Sequence, residues 1–115
     1  MSSDDEKGLD VTYDQISGFL EISKSKELYS KELLKYILKN DVACSDDTLT
    51  KMCELFSVSV SINKFLQKFL EMENVNHKTV FRMTPNSVLT MSTLMVNLVT
   101  ICESLRPSNY SFEVH

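Results

Sequence analysis

The chain is 115 residues long, 43% apolar and 24% charged, a balance that fits one small globular domain and lacks the polar bias of a wholly disordered protein. Its net charge of −4 sits in residues 1 to 14, where one lysine faces five acids; residues 15 to 115 hold eleven of each sign. A folded part so evenly balanced is poorly suited to tight, phosphate-driven nucleic-acid binding, which needs several uncompensated cations.

Residues 1 to 14 are small, acidic and poor in apolar side chains, and read as a disordered lead-in. Ser2 and Ser3 precede an Asp-Asp-Glu run, so phosphate there would add charge to an already repulsive segment; a plain solubilising tail is the simpler expectation. The acidic start, and apolar runs no longer than a few residues, as at Leu94-Met95-Val96, argue against a secretory signal or a membrane span. Cys44, Cys53 and Cys102 are odd in number and widely spaced, which predicts reduced, buried thiols in an intracellular protein rather than a disulfide framework.

Ile16, Phe19 and Leu20 fall at i, i+3 and i+4 and predict a short leading helix. Leu33, Leu34, Ile37 and Leu38 repeat the pattern in a first core helix from about Leu28, with Ser30 as its cap and Asn40-Asp41 as its end. Lys31, Lys35 and Lys39 line one side of that helix, and with Glu27 and Glu32 nearby they read as a solvated face rather than a DNA contact.

Cys44 to Met72 carry a much longer helix signal. Ser45, Asp46 and Asp47 supply N-cap side chains and negative charge for the positive end of the helix dipole. Leu49, Met52, Cys53, Leu55, Phe56, Val60, Ile62, Phe65, Leu66, Phe69 and Leu70 then recur at steps of three and four, with no Gly or Pro among them. About 26 helical residues at 1.5 Å each make a rod of roughly 39 Å. Ser57 to Ile62 alternate at period two and leave a strand open as an alternative there. If helical, the segment exposes more apolar surface than two short neighbouring helices cover, so the remainder is expected to bury against another chain.

Asn74 to His77 break the helix, Thr79 to Met83 read as a short extended segment, and Thr84-Pro85 start a last helix with a cap followed by Pro at the first helical position. That helix carries Val88, Leu89, Met91, Leu94, Met95, Leu98, Val99, Ile101 and Cys102, and ends near Arg106-Pro107. Residues 107 to 115 form a short, partly apolar tail able to fold back.

Enzyme chemistry has no foothold in these residues. Two glycines, Gly8 and Gly18, cannot make a phosphate-cradling loop, and no H-E-x-x-H, G-x-S-x-G or C-x-x-C pattern occurs. His77 and His115 stand apart from other ligand types, so no metal site and no cofactor are expected. Asp46-Asp47 are explained by capping rather than by acid-base work. The methionines and phenylalanines read as core or dimer packing in preference to a promiscuous peptide groove. The function expected is pairing with a partner, through Leu49, Met52, Phe56, Val60, Phe65, Phe69, Val80, Phe81, Leu89 and Leu94.

Placed in order, these segments resemble an all-α histone fold over residues 15 to 106, with short, long and short helices after a leading helix, as half of a heterodimer. Within that class the chain is most similar to the TFIID subunit 10 family of TBP-associated factors. The resemblance rests on Gly18-Phe19-Leu20-Glu21 followed by Leu33-Leu34-Lys35-Tyr36-Ile37-Leu38, on Ala43-Cys44-Ser45-Asp46 leading to Leu49-Thr50-Lys51-Met52 and Leu55, on Thr79 to Leu89, and on Arg106 to Phe112. It departs from the family at Val58-Ser59-Val60 and at Pro85-Asn86. The resemblance implies a non-enzymatic nuclear scaffold of TFIID or SAGA-type coactivators, paired with a histone-fold protein such as TFIID subunit 3 or 8 or a SAGA counterpart, with little or no direct DNA contact and no membrane. Two alternatives stay open: a CENP-X-like histone-fold subunit of a kinetochore and DNA-repair complex, which would need a basic face, and an unrelated helical adaptor that folds alone.

Overall fold

A computed structural model of the chain describes residues 8 to 105 and shows a mostly helical protein with three helices and a small two-stranded sheet. In chain order these are β1 (Leu9–Thr12), α1 (Tyr13–Asn40), α2 (Asp46–Leu70), β2 (Val80–Met83) and α3 (Pro85–Leu105). Ser2 and Ser3, where the plain solubilising tail was the simpler expectation, and the tail at 107 to 115 lie outside the described residues.

The acidic lead-in expected through residue 14 gives way to structure at Leu9. β1 pairs antiparallel with β2, setting Leu9 opposite Met83, Asp10 opposite Arg82, Val11 opposite Phe81 and Thr12 opposite Val80. Val11, Phe81 and Met83 turn inward and are buried, while Arg82 Nη1 meets Asp10 Oδ1 at 2.9 Å on the outer face. Composition pointed the other way because this strand draws its stability from a partner 72 residues distant, not from its own residues.

Thr12 ends the strand and caps α1. Its Oγ1 accepts from the Gln15 N–H at 3.1 Å, while Gln15 Oε1 accepts from the Thr12 N–H at 2.9 Å, a reciprocal capping box. α1 then runs for 28 residues without a break, where two shorter helices were expected. Within the Ser-rich stretch between them two buried hydroxyls find partners in the helix itself, Ser23 Oγ donating to the Leu20 carbonyl at 3.2 Å and Ser30 Oγ to the Lys26 and Glu27 carbonyls at 2.8 and 3.1 Å, and both serines pack into the seam with α2. Ser30 is therefore no cap; it bonds backwards, fully buried, in mid-helix. The end expected at Asn40-Asp41 is where α1 stops, with Asp41 left-handed at φ 52° and its N–H on the Ile37 carbonyl.

Ser45 caps α2, accepting from the Thr48 N–H at 3.2 Å, and Asp47 pairs with Lys51 at 2.8 Å one turn on. The Ser57 to Ile62 stretch is helical, so the strand alternative does not apply: its alternating serines and valines lie within the helix period that buries Leu55, Ser59, Ile62 and Leu66 on one face. Thr84 Oγ1 accepts from the Ser87 N–H at 3.2 Å and starts α3 ahead of Pro85.

The helices are 28, 25 and 21 residues long, close in length rather than short, long, short. α2 lies between α1 and α3, which scarcely touch each other. One core joins all five elements: Val11, Ile16, Leu20, Met52, Leu55, Ile62, Leu66, Phe81, Met83 and Leu98. Phe69 ties the sheet to α2, with ring centroids 5.7 Å from both Phe65 and Phe81 in edge-on geometry.

Candidate partner-binding surface

α3 is the least covered element of the fold. Of its 21 residues only Leu98 is buried. Val88, Met91, Leu94, Ile101, Cys102 and Leu105 pack partly against the core. The opposite side carries Leu89 at 66%, Val96 at 62% and Val99 at 57% exposure, and these recur at i, i+7 and i+10, so they share one face. No Lys, Arg, Asp, Glu or His occurs from Thr84 to Cys102. By contrast, the exposed sides of α1 and α2 carry charges at nearly every turn, among them Lys24, Glu32, Lys35, Glu54, Lys64 and Lys68.

α3 is also the one helix among the described residues long and apolar enough to cross a membrane by length and composition. The expectation of no membrane span rested on the length of uninterrupted apolar runs. That criterion misses α3 because single Ser, Thr and Asn residues interrupt a stretch without charge. A shallow groove borders the same face, lined from α2 by Glu54, Ser57 and Val58 and from α3 by Asn97, Thr100 and Ile101. Thr100 also lines a mostly apolar depression with Met95, Val96 and Val99, so groove and stripe are continuous.

The ten residues expected to meet a partner are dispersed. Met52 and Phe81 are buried inside this chain and cannot present a surface to another; their apolar side chains close the core beneath the sheet and along α2. Phe65, Phe69 and Leu94 pack against that core and stay half-exposed. Leu49, Phe56 and Val60 are half-buried on α2, outside the core cluster. Val80 on the outer side of the sheet and Leu89 on α3 are exposed. Among the described residues the most continuous exposed apolar stripe thus lies on α3 rather than on the middle helix, because α1 and α3 between them cover the inward faces of α2. Val96 and Val99 were missed, and the charge-free run in the sequence was the signal that could have found them.

A second set of exposed apolar side chains lies on α1, at Ile22, Leu28, Tyr29, Tyr36 and Leu38, with Leu38 79% exposed, and these are interspersed with lysines and glutamates. Lys31, Lys35 and Lys39 are exposed, with Lys35 3.9 Å from Glu32. All three cysteines are free, but Cys53 is exposed and Cys44 and Cys102 are only half-buried, so the expectation of buried thiols does not hold. His77 stacks edge-on against Tyr13 at 4.9 Å. No group of three or more His, Cys, Asp or Glu side chains among the described residues is placed to hold a metal ion.

Comparison with models of known protein families, with curated proteins and with solved structures finds no match to this chain, so its resemblance to histone-fold subunits rests on the sequence motifs alone.

Proposed function

We propose that this chain is a non-enzymatic subunit that acts by pairing with another protein and serves as a scaffold within a larger assembly. The observation that carries this reading is α3, a helix without charge from Thr84 to Cys102 that leaves Leu89, Val96 and Val99 uncovered. Soluble chains seldom leave a contiguous apolar stripe of this kind facing water unless something binds it.

The narrower assignment is a histone-fold subunit of a TFIID- or SAGA-type coactivator in the nucleus, paired with another histone-fold chain. Its support is the set of motifs between residues 16 and 112 and the strand-to-helix turn at Thr84-Pro85, where a capped turn opens α3. Helices of near-equal length depart from the short, long, short order and weigh toward the helical-adaptor alternative. The balanced charge of residues 15 to 115 weighs against the kinetochore and repair alternative, which needs a basic face.

Affinity purification of the tagged full chain from its native cells, followed by mass spectrometry, tests this. Recovery of transcription coactivator subunits in stoichiometric yield is the expected result. Recovery of kinetochore and repair proteins would replace the narrower assignment, and a chain that purifies alone as a monomer would remove the pairing function altogether.

A further inference from the structure

We propose that α1 joins two copies of this chain, antiparallel, along a second heptad row that α2 leaves uncovered. This goes beyond the pairing function above and does not depend on it.

α1 carries two rows at heptad spacing. One, through Ile16, Ser23 and Ser30, is buried in the seam with α2. The other runs through Phe19, Ile22, Lys26, Tyr29, Leu33 and Tyr36 at alternating steps of three and four, the spacing by which one helix pairs lengthwise with another. Ile22, Tyr29 and Tyr36 are 54, 55 and 58% exposed, while Phe19, Lys26 and Leu33, on the side nearer the core, are half-buried.

Charge identifies what this row fits. Lys26 sits in its middle and has no ion-pair partner among the described residues. Glu32 lies beside the row and reaches Lys35 only at 3.9 Å, with both side chains exposed. A bilayer is a poor occupant, because the Lys26 ammonium and the Glu32 carboxylate would have to enter it. A second copy set parallel would lay Lys26 on Lys26. Set antiparallel, with Lys26 opposite the second copy's Tyr29, the row packs Phe19 on Tyr36, Ile22 on Leu33 and Lys26 on Tyr29, each repeated by the two-fold axis. The Lys26 ammonium then meets the face of that tyrosine ring, and the second copy's Glu32 lies one turn beyond it. A slip of one heptad toward the C-terminus of α1 would set Glu32 against Glu32, so the charges also fix the register. The row thus carries both halves of its own charge match, which no unrelated helix is bound to do.

The contact is small. Six layers from Phe19 to Tyr36 span about 26 Å of helix. That places the interface at or below the roughly 1,200 Å² where stable ones begin, so the dimer is weak and forms at about 10–100 μM.

Sedimentation equilibrium of the full chain carrying V96K, across the micromolar range, tests this without association through α3. A monomer–dimer equilibrium is expected. K26E and E32K should each weaken it about tenfold, since the two-fold axis doubles every lost or reversed pair, with helicity unchanged. The double variant K26E/E32K should restore it. Restoration reports contact between chains, because positions 26 and 32 of one helix do not face each other. Benzoylphenylalanine at Tyr29, irradiated in the native cells, should crosslink the chain to a second copy near Lys26. A monomer at every concentration, a dimer that K26E and E32K leave unchanged, or a double variant as weak as the single ones would overturn the inference. Crosslinks from Tyr29 only to a different protein would overturn it as well. Recovery of other proteins with the chain decides the pairing function separately.

Discussion

Asn63 of α2 holds two successive turns of α1 at once: its Oδ1 accepts from Ser23 Oγ and its Nδ2 donates to Glu27 Oε1. Asn63 and Ser23 are both buried, and Glu27 reaches in from the half-exposed edge. The bridge sits where α1 has least to distinguish one register from another. Ile16, Ser23, Ser30 and Ile37 repeat at seven-residue steps, and Ser23 and Ser30 are both fully buried. A slip of one heptad would exchange one serine for the other. A single buried amide with two named partners fixes register in paired helices, at some expense of stability relative to an apolar layer.

Asn63→Ala is accordingly expected to lower stability by about 1–3 kcal/mol, because Ser23 and Glu27 lose a partner in a place with little water. The midpoint of urea unfolding reads this directly. An unchanged midpoint would mean that the bridge adds nothing to the α1–α2 contact.

Ser59, one turn earlier on α2, is the reverse case. Its hydroxyl is buried and has no hydrogen-bond partner. Ser59→Ala removes that unmatched group, keeps nearly the same volume and substitutes a better helix former, so stability should rise by about 1 kcal/mol. A fall in the thermal midpoint would show that the hydroxyl is in fact bonded.

The two glycines should respond in opposite directions. Gly18 lies in the second turn of α1 with open space where a Cβ would go, and Gly18→Ala should stabilise by about 0.5–1 kcal/mol. At Gly8 an added Cβ would fall on the Met83 carbonyl oxygen, so Gly8→Ala should displace the start of β1 and lower stability. Thermal unfolding of the two variants side by side distinguishes them by sign alone, and two shifts of the same sign would contradict the packing described for β1.

Leu66 has no exposed surface and sits at the centre of the core. Leu66→Ala should cost about 2–5 kcal/mol through lost burial and the cavity left behind. Phe56→Asp should cost less than Phe65→Asp, since Phe65 stacks on Phe69 and supports the core whereas Phe56 lies half-buried on α2 outside the core cluster. Chemical denaturation should put L66A and F65D well below F56D, and near-equal losses would count against this division between core and surface.

Local signals in the sequence located most of the helix ends, but divided α1 into two helices with a cap at Ser30. The Ser45 cap, the Asn40-Asp41 stop and the Thr84-Pro85 start all reflect short-range chemistry, and each lies where its residues call for it. What depended on distant partners was less visible. β1 is stabilised by β2, across 72 residues at the Asp10–Arg82 pair, and the continuity of α1 through Ser23 and Ser30 depends on the seam with α2. The exposed apolar surface was partly legible: Leu89 lies on it, but Met52 and Phe81 share the apolar periodicity expected of interface residues and face inward instead. Periodicity identifies an apolar face without telling whether the same chain or another covers it.

The central claim, that α3 presents a face needing cover, is tested most directly by light scattering of the full chain on its own, at low micromolar concentration, beside V96K. The expected result is self-association of the wild-type chain that V96K relieves, with helicity unchanged. A wild-type chain that is monodisperse, monomeric and unfolds cooperatively, indistinguishable from V96K, would contradict it.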